Sequence, residues 1–159
     1  MLAPRFTFKK YNAVVQSAEL VEIRLTSSKF DINDEYYRRE RDEDKTSMKL
    51  AMGGSLVDFE YVKREGLVLG EYEWSAFATR GRKRILSIKS RYQVIYKAAN
   101  NLEDAYVGAF LANVGRFASF PYFRSLVATY SAAASADLPI LPVLRQPIDP
   151  AADEERAEA

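Results

Sequence analysis

Between Glu71 and Tyr96, apolar and polar side chains alternate in two runs, separated by the basic, glycine-bearing segment RGRKR at 80–84. In the first run Tyr72, Trp74, Ala76 and Ala78 share one side, with Glu73, Ser75, Phe77 and Thr79 on the other. In the second, Leu86, Ile88, Ser90, Tyr92, Val94 and Tyr96 lie opposite Lys89, Arg91 and Gln93. A period of two marks a strand with one buried face, and two such runs about a short turn close into an antiparallel hairpin. At Asn100-Asn101 the period changes. From Leu102 to Ala118 apolar residues fall at 102, 106, 107, 110, 111 and 114, which is helical spacing. Strands first and helices after predict an α+β domain, with a mostly antiparallel sheet and helices gathered on one face.

Upstream, residues 11–32 contain a further strand, in which Val21, Ile23 and Leu25 face one way and Glu22, Arg24 and Thr26 the other. Residues 46–63 read as a strand broken at Gly53-Gly54, a pair that suggests a bulge or tight bend. Between them the mixed-charge run NDEYYRRERDEDK at 33–45 reads as a solvated connection. Asp31, Asp34, Asp42 and Asp44 could be read as a carboxylate metal site, but their spacing matches no calcium loop, and no metal is expected. Downstream, Asn101 is an acceptable N-cap for the first helix, with Asp104 three residues later. Pro121 is expected to interrupt that helix and to open a second one as its first residue, running to about Ala136. Phe123, Leu126, Val127 and Tyr130 form its apolar stripe, and Asp137 ends it. LPILPVLRQP at 138–147 is extended and proline-broken. One domain over 1–145 and a charged tail over 146–159 follow from this order.

The residue inventory removes much chemistry. There is no Cys and no His, so thiolate nucleophiles, imidazole acid–base catalysis, disulfides and the common zinc sites are excluded. No glycine-rich phosphate loop is present, no cofactor is expected, and the chain reads as a non-enzyme. No apolar run approaches the roughly 20 residues that cross a bilayer, and Met1–Lys10 has no apolar signal core. The expectation is a soluble cytoplasmic protein without membrane insertion.

Two features could recognise a partner. From Ser75 to Leu102 there is no acidic residue, while Arg80, Arg82, Lys83, Arg84, Lys89, Arg91 and Lys97 interleave with Tyr92 and Tyr96. Such a hairpin could bind nucleic acid, or its charges could simply keep a sheet edge soluble. The acidic tail opposes the nucleic-acid reading. The second feature is an apolar surplus, with Phe77 and Ile95 on faces opposite the main stripes. Two-sided strands call for a second layer, from self-association or from an extended apolar polypeptide held in a groove.

Residues 118–144, ASFPYFRSLVATYSAAASADLPILPVL, resemble the signature region of SecB, the bacterial export chaperone. The matching positions are Phe120, Pro121, Tyr122 and Arg124, then Leu138, Pro139, Pro142 and Val143, and the likeness spans about residues 13–145. It implies a four-stranded antiparallel sheet with helices on one face, and a homotetramer, a dimer of dimers. It also implies ATP-independent holding of unfolded preproteins in hydrophobic grooves. The candidate groove residues are Tyr72, Trp74, Leu86, Ile88, Tyr92, Leu138, Ile140 and Leu144, each of which could equally be core. The implied interface and signature helix carries Phe120, Pro121, Tyr122, Arg124, Leu126 and Tyr130. SecB proteins are strongly acidic and dock the motor SecA through acids on the sheet. Here the net charge is +1, Ser27 stands at one such first-strand position, and RQPIDPAADEERAEA replaces the closing helix. These departures bear on SecA docking rather than on client holding. SecB-like chaperones also serve toxin–antitoxin systems by holding an aggregation-prone antitoxin, which is the alternative role.

Overall fold

The structure is a computed structural model that describes residues 6–40 and 48–142. A helix, α1 (Phe8–Ser17), precedes strand β1 (Glu19–Ile32) and a 3-10 turn at Asp34–Glu40. Strands β2 (Met48–Val62), β3 (Leu67–Arg80) and β4 (Lys83–Lys97) follow. Next come α2 (Asp104–Phe110), a single wide π turn at Leu111–Gly115, and α3 (Arg116–Ala133). The four strands form one antiparallel sheet in the order β1-β4-β3-β2. This is the expected α+β arrangement, with the helices on one face.

The hairpin alternation is borne out residue by residue. Tyr72 pairs with Tyr92, Trp74 with Ser90 and Ala76 with Ile88, and all six are buried beneath the helices. The opposite face is left to Glu71, Glu73, Lys89, Arg91 and Gln93. In β1, bulges at Val21 and Thr26 break the expected alternation, so that Leu20 rather than Val21 joins Ile23 and Leu25 on one face. Leu20, Ile23, Leu25, Ser28, Phe30 and Ile32 pair with the inward-facing residues of β4, and Val21 is the extra residue of the first bulge.

The helical half departs from the sequence expectation in four ways. Pro121 does not open a helix; it lies inside α3. The irregularity falls earlier, at the wide turn, and Pro121 sits on the exposed side, where water can reach the Phe117 carbonyl its missing N–H leaves free. Asn101 is not the cap; Glu103 occupies that position with no side-chain cap bond, and Leu102 is buried just before it. α3 ends at Ala133, not near Ala136. And α1 was not foreshadowed by any periodicity. It buries only Val14 and is held by its partners: Phe6 stacks on Tyr106 at 4.6 Å, and Lys10 pairs with Glu103.

The glycine pair also has a different role. β2 runs straight through Gly53 and Gly54, and its register shift comes later, between Leu56 and Asp58. Gly54 lies opposite Trp74, and a Cβ there would stand 2.1 Å from indole Cε3. The missing side chain is the slot in which the indole lies. The Trp74 N–H donates to Ser119 Oγ at 2.8 Å, and its ring lies 5.0 Å from Phe120 and 6.1 Å from Phe123. The expected outcome for Gly54→Ala is a loss of about 1–3 kcal/mol of stability from overpacking. Gly53→Ala, which meets nothing within 4 Å, is the control and shifts stability by less than about 0.5 kcal/mol. Urea unfolding of the two variants checks this; equal shifts would remove the slot.

Candidate functional site

The long helix is fixed on the sheet by polar ties as well as by packing. The Tyr72 hydroxyl donates to the Leu111 carbonyl at 2.7 Å and the Tyr96 hydroxyl to the Gly115 carbonyl at 3.3 Å. Both acceptors belong to the wide turn, where helical hydrogen bonding is irregular. Gly115 admits the Tyr72 hydroxyl, since a Cβ there would lie 2.5 Å from it. Burial pushes the Tyr72 phenol well above its usual range, and pushes Tyr96 and Tyr92 up to about 12, so Tyr72 and Tyr96 keep the protons they donate.

Beyond Ala133 the chain reverses. The Ala136 N–H reaches the Ser131 carbonyl at 2.9 Å and the Ser135 N–H reaches that of Ala132 at 3.2 Å, the paired bonds of a Schellman cap. Ser135 and Asp137 both take left-handed φ of 51°. The turn is clamped from outside by two tyrosines of the 3-10 segment. Tyr36 donates to the Ala136 carbonyl and Tyr37 to that of Ala134. The mixed-charge connection is therefore more than a solvated link: Tyr36 is buried, while 41–47 lies outside the described residues.

After the reversal, residues 138–142 run back beside α3. The Leu138 N–H donates to Ser131 Oγ at 2.8 Å, and Leu141 is buried. Helix and returning segment enclose an open cleft of about 460 Å³. Arg124, Val127, Ala128, Ser131, Ala132 and Ser135 line the helix side. Their three- and four-residue spacing is one helical stripe. Leu138, Pro139, Ile140 and Leu141 form the other wall, and Ile140 is 77 % exposed. Among the described residues, the N–H groups of Ile140 and Leu141 have no hydrogen-bond partner.

The groove residues expected from the sequence divide accordingly. Leu138 and Ile140 line the cleft. Tyr72, Trp74, Leu86, Ile88 and Tyr92 are core, at most 3 % exposed, because α3 of the same chain covers the face they share. Each of the five could be groove or core from the sequence, and in this structure they are core. Leu144 lies outside the described residues. Of the signature residues, Phe120 packs on Trp74, and Arg124 reaches the cleft. Pro121 and Tyr122 are exposed, and Leu126 is half-buried. Tyr130 stacks on Phe30 at 4.8 Å and hydrogen-bonds Ser28 at 2.6 Å. Sequence reasoning missed Ser131, Ala128 and Leu141 as site residues. The helical spacing 124-127/128-131/132-135 was legible, but nothing said that the chain would turn back over it.

Part of the basic hairpin is engaged where it stands. Lys83 pairs with Glu35, and Arg80 donates to the Glu35 carbonyl. Arg84 lies 4.2 Å over the Phe77 ring. On the sheet's outer face Lys89 and Arg91 both engage Glu73, at 3.1 and 2.9 Å, and Arg91 reaches Glu71 at 3.5 Å. Burial alone would raise the Glu73 carboxyl; hydrogen bonds from Lys89 and Arg91 outweigh it and hold it below the usual range. Among the described residues no cluster of acidic side chains could hold a metal ion; Asp42 and Asp44 lie outside them. No described helix is long and apolar enough to cross a membrane.

No protein-family model matches the chain, and no curated protein matches it. Among solved structures, it is similar to the SecB-like chaperone of Mycobacterium tuberculosis in complex with a ChAD peptide from the HigA1 antitoxin. The TM-score is 0.71 over 88 % of this chain and 99 % of that one, at 12 % identity, a likeness of fold.

The Ser131 hydroxyl is the single described hydrogen bond joining helix to wall. Ser131→Ala is expected to cost about 1 kcal/mol locally and to speed hydrogen exchange at the Leu138 amide roughly five-fold. Unchanged exchange there would mean that the wall is held by packing alone.

Proposed function

We propose that this chain is an ATP-independent holding chaperone that keeps an extended, aggregation-prone polypeptide in the cleft along α3. The observation that carries the reading is the cleft itself. It has an apolar floor of small residues on α3, and its wall carries two N–H groups, of Ile140 and Leu141, without a partner among the described residues. Apolar contact with no fixed shape suits varied segments, and free backbone donors suit a client in extended form. The fold likeness to a chaperone solved with a peptide supports the same class. A holding role also asks for no catalytic residue and no cofactor.

Of the two roles, we favour holding an antitoxin over general export of preproteins. The structural neighbour's peptide comes from an antitoxin. The outer-face carboxylates of this chain are engaged by Lys89 and Arg91, and Ser27 offers no charge to an export motor such as SecA. Part of the basic run is likewise engaged, Lys83 by Glu35 and Lys89 and Arg91 by Glu73, which disfavours nucleic acid. A single domain over 1–145 with a charged tail, in the cytoplasm, belongs to the same reading.

A homotetramer, as a dimer of dimers, is part of the proposal. β1 is a 14-residue edge strand on which Leu20, Leu25 and the bulged Val21 are about half exposed. A long apolar edge of this kind calls for a covering partner, and a second copy supplies one.

The test is suppression of aggregation of a denatured client, without nucleotide. The expected outcome is saturation near stoichiometric protein, and loss of most of the effect in Ile140→Asp. Aggregation unchanged by the wild-type protein would refute the reading.

A further inference from the structure

The β3–β4 turn carries more positive charge than the residues around it compensate. Arg82, Lys83 and Arg84 are exposed on it, Arg80 stands at its base, and Lys49 is exposed on β2 opposite Thr79. Among the described residues Lys83 has an acidic partner, Glu35, while Lys49, Arg80, Arg82 and Arg84 make no ion pair. Asp31, the nearest acid along the sheet, pairs with Lys29 at 3.7 Å. The five cations carry +5, and the adjoining connection 33–45, counted whole, carries −2, which leaves three positive charges in excess. Residues 151–159 hold Asp153, Glu154, Glu155 and Glu158 against Arg156, a net charge of −3.

The chain path brings these acids within reach of the turn. Tyr36 and Tyr37 hold the reversal after α3, through Ala136 and Ala134, on the same 3-10 segment whose Glu35 pairs with Lys83. The end of α3 and the basic turn therefore share one end of the sheet. Residues 137–142 lead away from it by at most about 20 Å, and residues 143–150 can span about 26 Å when extended, enough to return. We propose that the acidic residues 153–158 dock on the basic turn of their own chain and shield it from other polyanions. Ion pairs on a surface are weak between separate molecules, but a short tether supplies an effective concentration in the millimolar range and populates them within one chain. The contact uses neither the cleft nor the β1 edge, so it stands apart from client holding and from assembly. It gives the basic turn a built-in competitor against nucleic acid, whose binding rests on the same phosphate-neutralising cations.

The test is zero-length carbodiimide coupling of carboxylates to lysine amines on the full-length protein at low ionic strength, mapped by mass spectrometry. The Lys83–Glu35 pair is the internal positive control. Asp153, Glu154 or Glu155 is expected to couple to Lys83 or Lys49 at least about 5-fold more than to Lys63 and Lys97, which lie at the opposite end of the sheet. The excess is expected to vanish in about 1 M salt, where the Debye length falls to about 3 Å. Even coupling to all four lysines, or none by the tail, overturns the proposal. Isotopically light and heavy chains, unfolded and refolded together, identify whose tail docks: same-label pairs support the chain's own tail, and mixed pairs mean a second copy's tail and overturn it. Function is read with a labelled single-stranded oligo-dT. Asp153→Asn/Glu154→Gln/Glu155→Gln is expected to raise its affinity roughly 10-fold, and adding Arg82→Ala/Arg84→Ala is expected to remove the gain. An unchanged affinity, or a gain that survives loss of the two arginines and so comes from net charge alone, overturns the shielding role.

Discussion

The Trp74 indole is the contact on which the helix side of the sheet depends. It lies in the slot left by Gly54 on the neighbouring strand, donates to Ser119 on α3, and packs against Phe120 and Phe123 of the same helix. One side chain therefore joins β2, β3 and α3. The ties are of two kinds, a buried hydrogen bond that fixes direction and aromatic contact that supplies area. With α3 held there, its opposite stripe, from Arg124 to Ser135, is left facing away from the sheet. That stripe is what the returning segment converts into a cleft.

The second constraint is how the chain passes from α2 into α3. A wide turn rotates the helix surface relative to a regular helix, and such a turn disrupts the regular bonding of its carbonyls. Two of them, from Leu111 and Gly115, are met by tyrosine hydroxyls rising from the sheet. At the far end Ser135 and Asp137 accept left-handed backbone, and Tyr36 and Tyr37 clamp the reversal. The cleft is thus the product of four tyrosines, each donating to a backbone carbonyl, and its wall is placed by the 3-10 segment rather than by the helix alone.

The sheet was legible because a strand's period of two is hard to mistake. The inward set Tyr72, Trp74, Leu86, Ile88 and Tyr92 could be listed from the sequence, although its fate as core rather than groove could not. Periodicity reports which face is covered, not by what. Pro121 misled because a proline's local preference for a helix start yields when tertiary packing holds the helix through it. Gly53-Gly54 misled for the same reason: the need was a slot for an indole on another strand, which no local signal carries. α1 was invisible because its stability comes from contacts with Tyr106 and Glu103, some ninety positions away in sequence. The fold resemblance read from Phe120, Pro121, Tyr122 and Arg124 held at the level of architecture, with a TM-score of 0.71 to a SecB-like chaperone.

If extended polypeptide lies in the cleft, its backbone must come beside the returning segment. The most direct measurement is residue-resolved hydrogen exchange with and without an unfolded client. The account predicts slower exchange at the Ile140 and Leu141 amides on client binding, with Arg91 on the outer sheet face unchanged. Protection confined to the outer face or to the β1 edge, with Ile140 and Leu141 unaltered, would contradict it.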